Sequence, residues 1–177
     1  ILNSGSQVQQ NLKNWVNDTS SNTDKKSSYK HTLILSSMTK MMGLAIPFST
    51  RNGFKVIDYK PGYIKALIPL KRNRNHIGTM YAGALFTLAE LPAGIISTFS
   101  FDQRFFPILK DLKIECIKPA QSDISVEFEI TKAVLNRIER EALNKGKSDF
   151  VLKGCLIDKK GVLVAKSYAN YQIRRKA

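Results

Sequence analysis

The sequence has few cysteines and no long uninterrupted apolar run. Its two cysteines, Cys116 and Cys155, both lie in apolar segments, which argues against a disulfide scaffold and fits a reducing compartment. A membrane-spanning helix needs roughly 20 consecutive apolar residues. The nearest approach, residues 32–48, is interrupted by two serines, a threonine and a lysine. The sequence therefore predicts a protein without a transmembrane segment.

Acidic residues are also scarce, and this leaves a large positive charge. The chain has 28 Lys and Arg against 14 Asp and Glu, a formal net charge of +14 at pH 7. Such a surplus favours anionic partners, whether nucleic acid, a membrane surface or a phosphorylated small molecule, and says nothing about the fold. The sequence has no helix-turn-helix pattern, and its aromatic residues do not alternate with the basic runs. Nucleic acid is therefore not expected as a partner.

Several motifs of catalytic and metal sites are missing. The sequence has no Gly-rich phosphate loop and no nucleophile elbow centred on a serine. Its two histidines, His31 and His76, are isolated and lack the spacing of metal ligands. We therefore expect neither a metal nor a resident cofactor.

The length of 177 residues suits one domain with a hydrophobic core. We predict a domain over residues 31–177, preceded by an extension over residues 1–30. In the extension, apolar residues 8, 12, 15 and 16 have helical spacing, and residues 17–28 read as a polar linker. Because the chain begins without methionine, it is either trimmed or processed. We expect a cytoplasmic location, or an organelle matrix where residues 1–30 are a processed leader.

Alternation of apolar and polar residues predicts a sheet of about six antiparallel strands. A Pro-Gly turn after Lys60 and a Gly-containing turn ending at Gly161 each join two of them into a hairpin. A helix is predicted over residues 29–46, ended by Pro47, and a short one over residues 134–142, ended by Gly146. The predicted strands are residues 54–59, 63–70, 109–117, 124–130, 150–157 and 162–173.

Residues 82–99 break the strand pattern and are apolar on nearly every side of a helix. A helix that is hydrophobic all round must be buried. One buried helix beside an antiparallel sheet predicts an α+β fold in which the sheet wraps around a central helix. Pro92 removes one helical N–H, so it either bends the helix or ends it.

Glu90 is the single ionisable residue of this helix. Burial would raise the pKa of its carboxyl group, as a general base or a nucleophile at neutral pH requires. It could equally be a carboxylate at the edge of the helix or one half of an ion pair. The helix begins with the small residues Ala82 and Gly83, whose N–H groups have no acceptor within the helix and could bind an oxyanion.

The sequence around this helix resembles hot-dog-fold thioesterases of the phenylacetate-pathway (PaaI-like) group. There, an Asn-x-x-Gly-x-x-His-Gly-Gly run precedes the central helix, and Asp or Glu occupies the place of Glu90. In this chain, residues 75–83 read Asn-His-Ile-Gly-Thr-Met-Tyr-Ala-Gly. The chain most resembles the branch typified by the C-terminal domain of YiiD proteins. The likeness lies at residues 74–79, 90–92, 117–119, 130–146 and 171–176.

This resemblance implies a hot-dog fold and hydrolysis of an acyl thioester. Glu90 would be the nucleophile or the general base, and the amides of Ala82 and Gly83 would bind the oxyanion. Asn75 would position the attacking water or the thioester carbonyl. The chain departs from the pattern at four positions: Tyr81 replaces His, Ala82 replaces the first Gly, Leu109 replaces a helper Ser, and Gly94 replaces Thr.

Helix geometry adds an expectation about assembly. Ala82 and Glu90 are eight residues apart, or about 12 Å at the helical rise of ~1.5 Å per residue. A carbonyl under attack needs its oxyanion donor and its nucleophile both within roughly 3.5 Å. We therefore expect a homodimer in which each site combines Ala82 of one chain with Glu90 of the other. Many hot-dog relatives pair further into tetramers.

The substrate expected from the resemblance is an acyl-CoA or an acyl-carrier-protein thioester, with coenzyme A as part of the substrate and not as a cofactor. Basic residues before Asn75, including Arg72 and Arg74, could hold the phosphates of coenzyme A, or could merely be solvated. Gly78 and Tyr81 are the other candidates for substrate binding. The main alternative function is a hot-dog protein that binds a fatty acyl group or acyl-CoA without hydrolysing it.

Overall fold

The computed structural model describes residues 25–176. The predicted helix near residue 15 lies outside the described residues, as does the start of the predicted polar linker. The end of that linker is helical, since helix α1 spans Lys25–Ala45 and begins before residue 29. The short helix α2 follows at Pro47–Asn52. Pro47 thus ends one helix, as predicted, and also begins the next, because its fixed φ and missing N–H suit the first helical position.

The strands and the remaining helices follow in chain order. Strands β1 and β2 form a hairpin, and a single 3-10 turn at Leu70–Arg72 leads towards the long helix α3. Helix α4 lies between β4 and β5. The bounds are β1 Lys55–Lys60, β2 Tyr63–Ile68, α3 Ala82–Ser100, β3 Phe105–Cys116, β4 Ile124–Glu129, α4 Lys132–Lys145, β5 Lys147–Asp158 and β6 Leu163–Arg175.

The six strands of the described part form one sheet in the order β1-β2-β4-β5-β6-β3. Every neighbouring pair is antiparallel, as the alternation predicted. Strand β3 lies at one edge and pairs only with β6, while β1 forms the other edge. The edge position explains why β3 starts at Phe105 and not near residue 109. Pro107 cannot donate to a ladder but is tolerated in an edge strand.

Helix α3 packs against the sheet along β2 to β6, and its Phe99 also contacts Tyr59 of β1 edge to face, with ring centroids 6.2 Å apart. Most of its apolar residues are buried, and Phe86 is an exposed exception. The inward residues of β2 and β4 that face the helix are also buried: Ile64, Ala66, Ile68, Ile124, Val126 and Phe128. The α+β hot-dog architecture predicted from the sequence is therefore confirmed. By length and hydropathy alone α3 could cross a membrane, and it comes nearer to a span than residues 32–48 do. In this fold it is the core helix of the sheet.

Local signals account for the remaining boundaries. Helix α3 continues through Pro92 and does not end there. Strand β2 ends at Ile68 because Pro69 precedes the 3-10 turn, so Leu70 is not part of the strand. Helix α4 begins after Thr131, whose side chain accepts a hydrogen bond from Val134 N, and ends at Gly146 in the left-handed conformation. Both cysteines are free and exposed.

Candidate active site

Glu90 lies in the middle of α3, flanked by the fully buried Ala89 and by Leu91. Its own side chain is partly exposed. Among the ion pairs of residues 25–176, none includes this carboxylate. Burial raises the pKa of Glu90 above the ordinary value for a glutamate. The structure thus places at the centre of the helix a carboxyl group that has neither a basic partner nor full hydration.

Tyr171 of β6 is the polar neighbour of Glu90 that sequence analysis missed. Its hydroxyl donates a hydrogen bond of 3.2 Å to the backbone oxygen of Glu90. The tyrosine is almost fully buried, and its ring stacks on Phe150 with centroids 5.8 Å apart. Burial, and secondarily the charge of Glu90, raise the pKa of Tyr171, so the phenol stays protonated at neutral pH. The position of Tyr171 on the inward side of a predicted strand indicates a buried phenol, and a buried phenol usually has a hydrogen-bond partner. The sequence does not show which residue that partner is.

Gly94 lies one helical turn after Glu90, next to the same tyrosine. A Cβ atom at this position would lie 3.6 Å from the Tyr171 hydroxyl oxygen and 3.9 Å from Glu90 Oε1. Those are ordinary van der Waals distances, so the fold leaves room for a small side chain here. Steric hindrance therefore does not explain why position 94 is glycine and lacks a hydroxyl group. Leu109, another of the four departures noted above, packs against the core.

The first backbone N–H groups of α3 lie next to the loop that precedes the helix. Tyr81 is the N-cap, and its carbonyl accepts from Ala84 N at 3.0 Å and from Leu85 N at 3.4 Å. The N–H groups of Ala82 and Gly83 come before this first bonded turn and have no acceptor within the helix. Ala82 is exposed and Gly83 is partly exposed. Both amides can therefore reach a ligand at the positive end of the helix dipole.

The aromatic ring of Tyr81 lies directly against Gly83. A Cβ atom at position 83 would overlap Tyr81 Cε1, so a larger residue there would require the tyrosine ring to turn away. The tyrosine side chain is 59% exposed, so its ring covers the glycine from the solvent side. The structure therefore brings Tyr81 and Gly83 together, two of the residues predicted for substrate binding and catalysis.

Asn75 organises the loop before the helix. Its side-chain oxygen accepts hydrogen bonds from Thr79 N at 3.0 Å and from Ile77 N at 3.1 Å, and its Nδ2 donates to Thr79 Oγ1 at 2.9 Å. Gly78 lies in this loop with a φ of 83°, a left-handed conformation that favours glycine. Both side-chain atoms of Asn75 are thus engaged within the loop. One N–H of its amide remains for a ligand.

A second asparagine, Asn73, attaches this loop to the rest of the fold and was also missed. It is buried, and its Nδ2 donates to Asn52 O and to Pro69 O, both at 2.7 Å. Its backbone oxygen accepts from Tyr81 N at 2.7 Å, which fixes the start of α3 relative to α2. Nothing in the local sequence marks Asn73, because its contact with Asn52, 21 residues earlier, forms only in the folded chain.

The basic residues near the site are accessible. Arg72 and Arg74 are exposed, as is the neighbouring Lys71. Arg72 Nη1 donates to Thr50 O at 3.2 Å, which directs its side chain along α2, whereas no ion pair of the described residues includes Arg74. Within residues 25–176, no three His, Cys, Asp or Glu side chains lie close enough together to hold a metal ion.

Comparison with known proteins places the chain in a family. The family model described as "Domain of unknown function (DUF4442)" matches residues 36–173. The chain belongs to this family. This DUF4442 protein matches none of the curated proteins.

Solved structures of similar proteins agree with the fold. A protein of unknown function from Pseudomonas aeruginosa, described as a probable thioesterase, is 41% identical, with a TM-score of 0.76 over 78% of this chain and 93% of that one. A protein of unknown function from Chlorobaculum tepidum is 15% identical, with a TM-score of 0.72 over 82% and 97% of the two chains. A thioesterase from Haemophilus influenzae is 13% identical, with a TM-score of 0.64 over 80% and 90%. The last two show the shared fold alone.

Proposed function

We propose that this DUF4442 protein is a thioesterase that hydrolyses an acyl thioester of coenzyme A or of acyl carrier protein. The observation that carries the proposal is Glu90, a carboxyl group without an ion-pair partner, whose pKa is raised by burial on an apolar helix. The helix also begins with unpaired amides. A thioesterase needs both parts, a group that activates water and donors for the oxyanion. The probable thioesterase from Pseudomonas aeruginosa supports the same activity class.

The chemistry follows from these two parts. The thioester carbonyl oxygen accepts hydrogen bonds from Ala82 N–H and Gly83 N–H, which stabilise the negative charge that develops on it. In one route Glu90 takes a proton from water as the water oxygen adds to the carbonyl carbon. In the other, the Glu90 carboxylate attacks that carbon and, once the thiolate has left, a water molecule hydrolyses the resulting acyl-glutamyl anhydride, which releases the acid and regenerates Glu90. In both routes the tetrahedral intermediate collapses, the C–S bond breaks, and the thiolate receives a proton. The products are a carboxylic acid and a free thiol.

Each site would draw on two chains. Ala82 and Glu90 are about 12 Å apart along one helix at ~1.5 Å per residue, too far to act on one carbonyl. A two-fold partner that places its Glu90 near Ala82 of the first chain removes this difficulty. Strand β3 supports such pairing, since it has a neighbour on one side only. The active unit of the proposal is therefore at least a homodimer.

Substrate binding would use the loop before α3. Lys71, Arg72 and Arg74 supply positive charge for the phosphates of coenzyme A, and the ring of Tyr81 flanks the oxyanion donors. The run from Asn75 to Gly83 supports a relationship to the PaaI-like thioesterases and their YiiD-like branch.

The test is hydrolysis of a panel of acyl-CoA and acyl-carrier-protein thioesters, with products identified by mass spectrometry. Replacing Glu90 by Gln removes the base while keeping the shape of the side chain. We expect the rate to fall by a factor of about 100 or more, as for loss of a general base. Glu129→Gln, at an exposed position of β4, is the matched control and should keep the native rate. An unchanged rate for Glu90→Gln would remove Glu90 from the mechanism.

A binding protein without hydrolytic activity is the second candidate. It is favoured by the side chain of Asn75, which is engaged within its own loop, and by the apolar Leu109. In that case the same panel would be recovered intact, with one member bound to the protein.

A further inference from the structure

The outer surface of α1 and α2 exposes large apolar side chains. Leu44 is 85% exposed and Phe48 is 54% exposed, on either side of the break between the two helices. Tyr29 and Leu33, further back on α1, are 75% and 50% exposed. Scattered apolar residues are normal on a protein surface, but several together on one element indicate a contact surface.

Three of these side chains, Tyr29, Leu33 and Leu44, share one face of α1, whereas Phe48 lies on α2. At 3.6 residues per turn, positions 29, 33, 40 and 44 fall within about 60° of one another around the helix axis. The opposite face of α1 holds Ile34 and Met38, which are buried against the rest of the fold. The outward face is therefore not needed for the core.

The same elements carry basic residues and no acidic ones. Between Asp24 and Asp58 the sequence has no Asp or Glu, although it has six Lys and Arg: Lys25, Lys26, Lys30, Lys40, Arg51 and Lys55. Lys40 and Arg51 are exposed, and neither takes part in an ion pair of the described residues. Asp58, the first acid after this stretch, pairs with His31 at 3.4 Å.

We infer that the face formed by Tyr29, Leu33, Lys40, Leu44, Phe48 and Arg51 docks onto a membrane that contains anionic lipids. Leu44 and Phe48 would enter the boundary between headgroups and acyl chains, while Lys40 and Arg51 remain at the level of the lipid phosphates. Exposed apolar residues flanked by bases are the combination that peripheral membrane binding uses. We name this set of six residues the α1–α2 face.

Charge decides between a bilayer and a second copy of the chain. Two α1–α2 faces in contact would bring Lys40 and Arg51 of both copies together without a carboxylate to neutralise them. An anionic bilayer, in contrast, compensates every base. The basic loop of Lys71, Arg72 and Arg74 adjoins α2 through the bond from Arg72 to Thr50 and extends the positive surface. The inference depends on the six residues of the α1–α2 face, none of which is assigned to the proposed hydrolysis.

The test is co-sedimentation of the full chain with two kinds of vesicle, one of phosphatidylcholine alone and one of phosphatidylcholine mixed with phosphatidylglycerol. We expect the native protein to sediment with the mixed vesicles only. Leu44→Ser combined with Phe48→Ser should lower the affinity at least tenfold, since each change removes apolar area from the bilayer. The matched control, Val151→Ser with Leu143→Ser, alters side chains that are 50% and 41% exposed elsewhere and should bind like the native protein.

Charge reversal provides a second measurement. Lys40→Glu with Arg51→Glu should weaken binding by more than tenfold, because each base near the surface contributes about 1 kcal/mol. Lys132→Glu with Lys160→Glu, two exposed bases elsewhere, is the control and should retain most of the binding. Circular dichroism on all variants verifies that they are folded.

Four results would overturn the inference, three from sedimentation and one from light scattering. The first is a native protein that fails to sediment with phosphatidylglycerol vesicles, and the second is equal binding to both kinds of vesicle. The third is a Leu44→Ser, Phe48→Ser variant that binds as tightly as the native protein. If light scattering showed a native dimer that these two changes dissociate, the face would belong to a second copy, and the membrane assignment would be wrong.

Discussion

Removal of the Tyr171 hydroxyl tests the contact between β6 and α3 that holds the candidate site together. In Tyr171→Phe the ring and its stacking on Phe150 are kept, and only the bond of 3.2 Å to Glu90 O is lost. A neutral hydrogen bond contributes about 0.5–1.5 kcal/mol. Glu90 O also accepts from the helix, at Gly94 N–H, so no buried acceptor is left without a donor. We therefore expect a loss of about 1 kcal/mol.

In a protein of this size, such a change lowers Tm by about 2–4 °C. The free energy of unfolding, from urea titration monitored by circular dichroism, is the appropriate measurement. Tyr168→Phe, on the same strand, is the control. Its ring lies 5.8 Å from Lys113 Nζ and 6.0 Å from Lys153 Nζ, and the substitution keeps both contacts. The reasoning is refuted if Tyr171→Phe is as stable as the native protein, or if Tyr168→Phe costs as much.

Three further predictions concern stability and reactivity. Because burial raises the pKa of Glu90, the folded protein keeps this proton to higher pH than the unfolded chain, and stability falls as pH rises through that interval. Urea titrations should therefore show Glu90→Gln gaining stability over the native protein at neutral pH, with the gain disappearing below the ordinary pKa of glutamate. Gly154→Ala should cost about 1–3 kcal/mol in the same assay, since its Cβ would lie 2.8 Å from the buried ring of Phe128. Cys116 and Cys155 should both react with a thiol reagent in the folded protein, whereas a single reactive thiol before denaturation would contradict their exposure.

The sheet and its central helix could be predicted because their signals are local. Alternation over Ile124–Glu129 requires one face of the strand to be buried, and the largely apolar character of Ala82–Ser100 requires a helix that is buried on most sides. The fold has both. The signals at proline were ambiguous. Pro92 lies inside a continuous helix, and Pro107 lies within an edge strand that the sequence alone did not place at an edge.

The candidate site could be predicted only in part. Glu90 was evident because one charged residue stood in an apolar helix. Tyr171 was not, since 81 residues separate it from its hydrogen-bond partner and only the sheet order brings them together. Asn73 is similar, because its amide reaches Asn52, 21 residues earlier, across a tertiary contact. Composition and residue spacing show which polar groups the chain contains. Which of these groups form hydrogen bonds with one another depends on the tertiary fold.

The outer edge of strand β3 has backbone N–H and C=O groups without a strand partner, because β6 pairs with only one side of β3. If the active site forms only when two chains pair along this edge, the rate depends on the concentration of the dimer and so on the protein concentration. The turnover per mole of chain would then fall as the protein is diluted. If the site were complete within one chain, the turnover per mole would not change on dilution. A dilution series is thus a direct way to count the chains in one working unit.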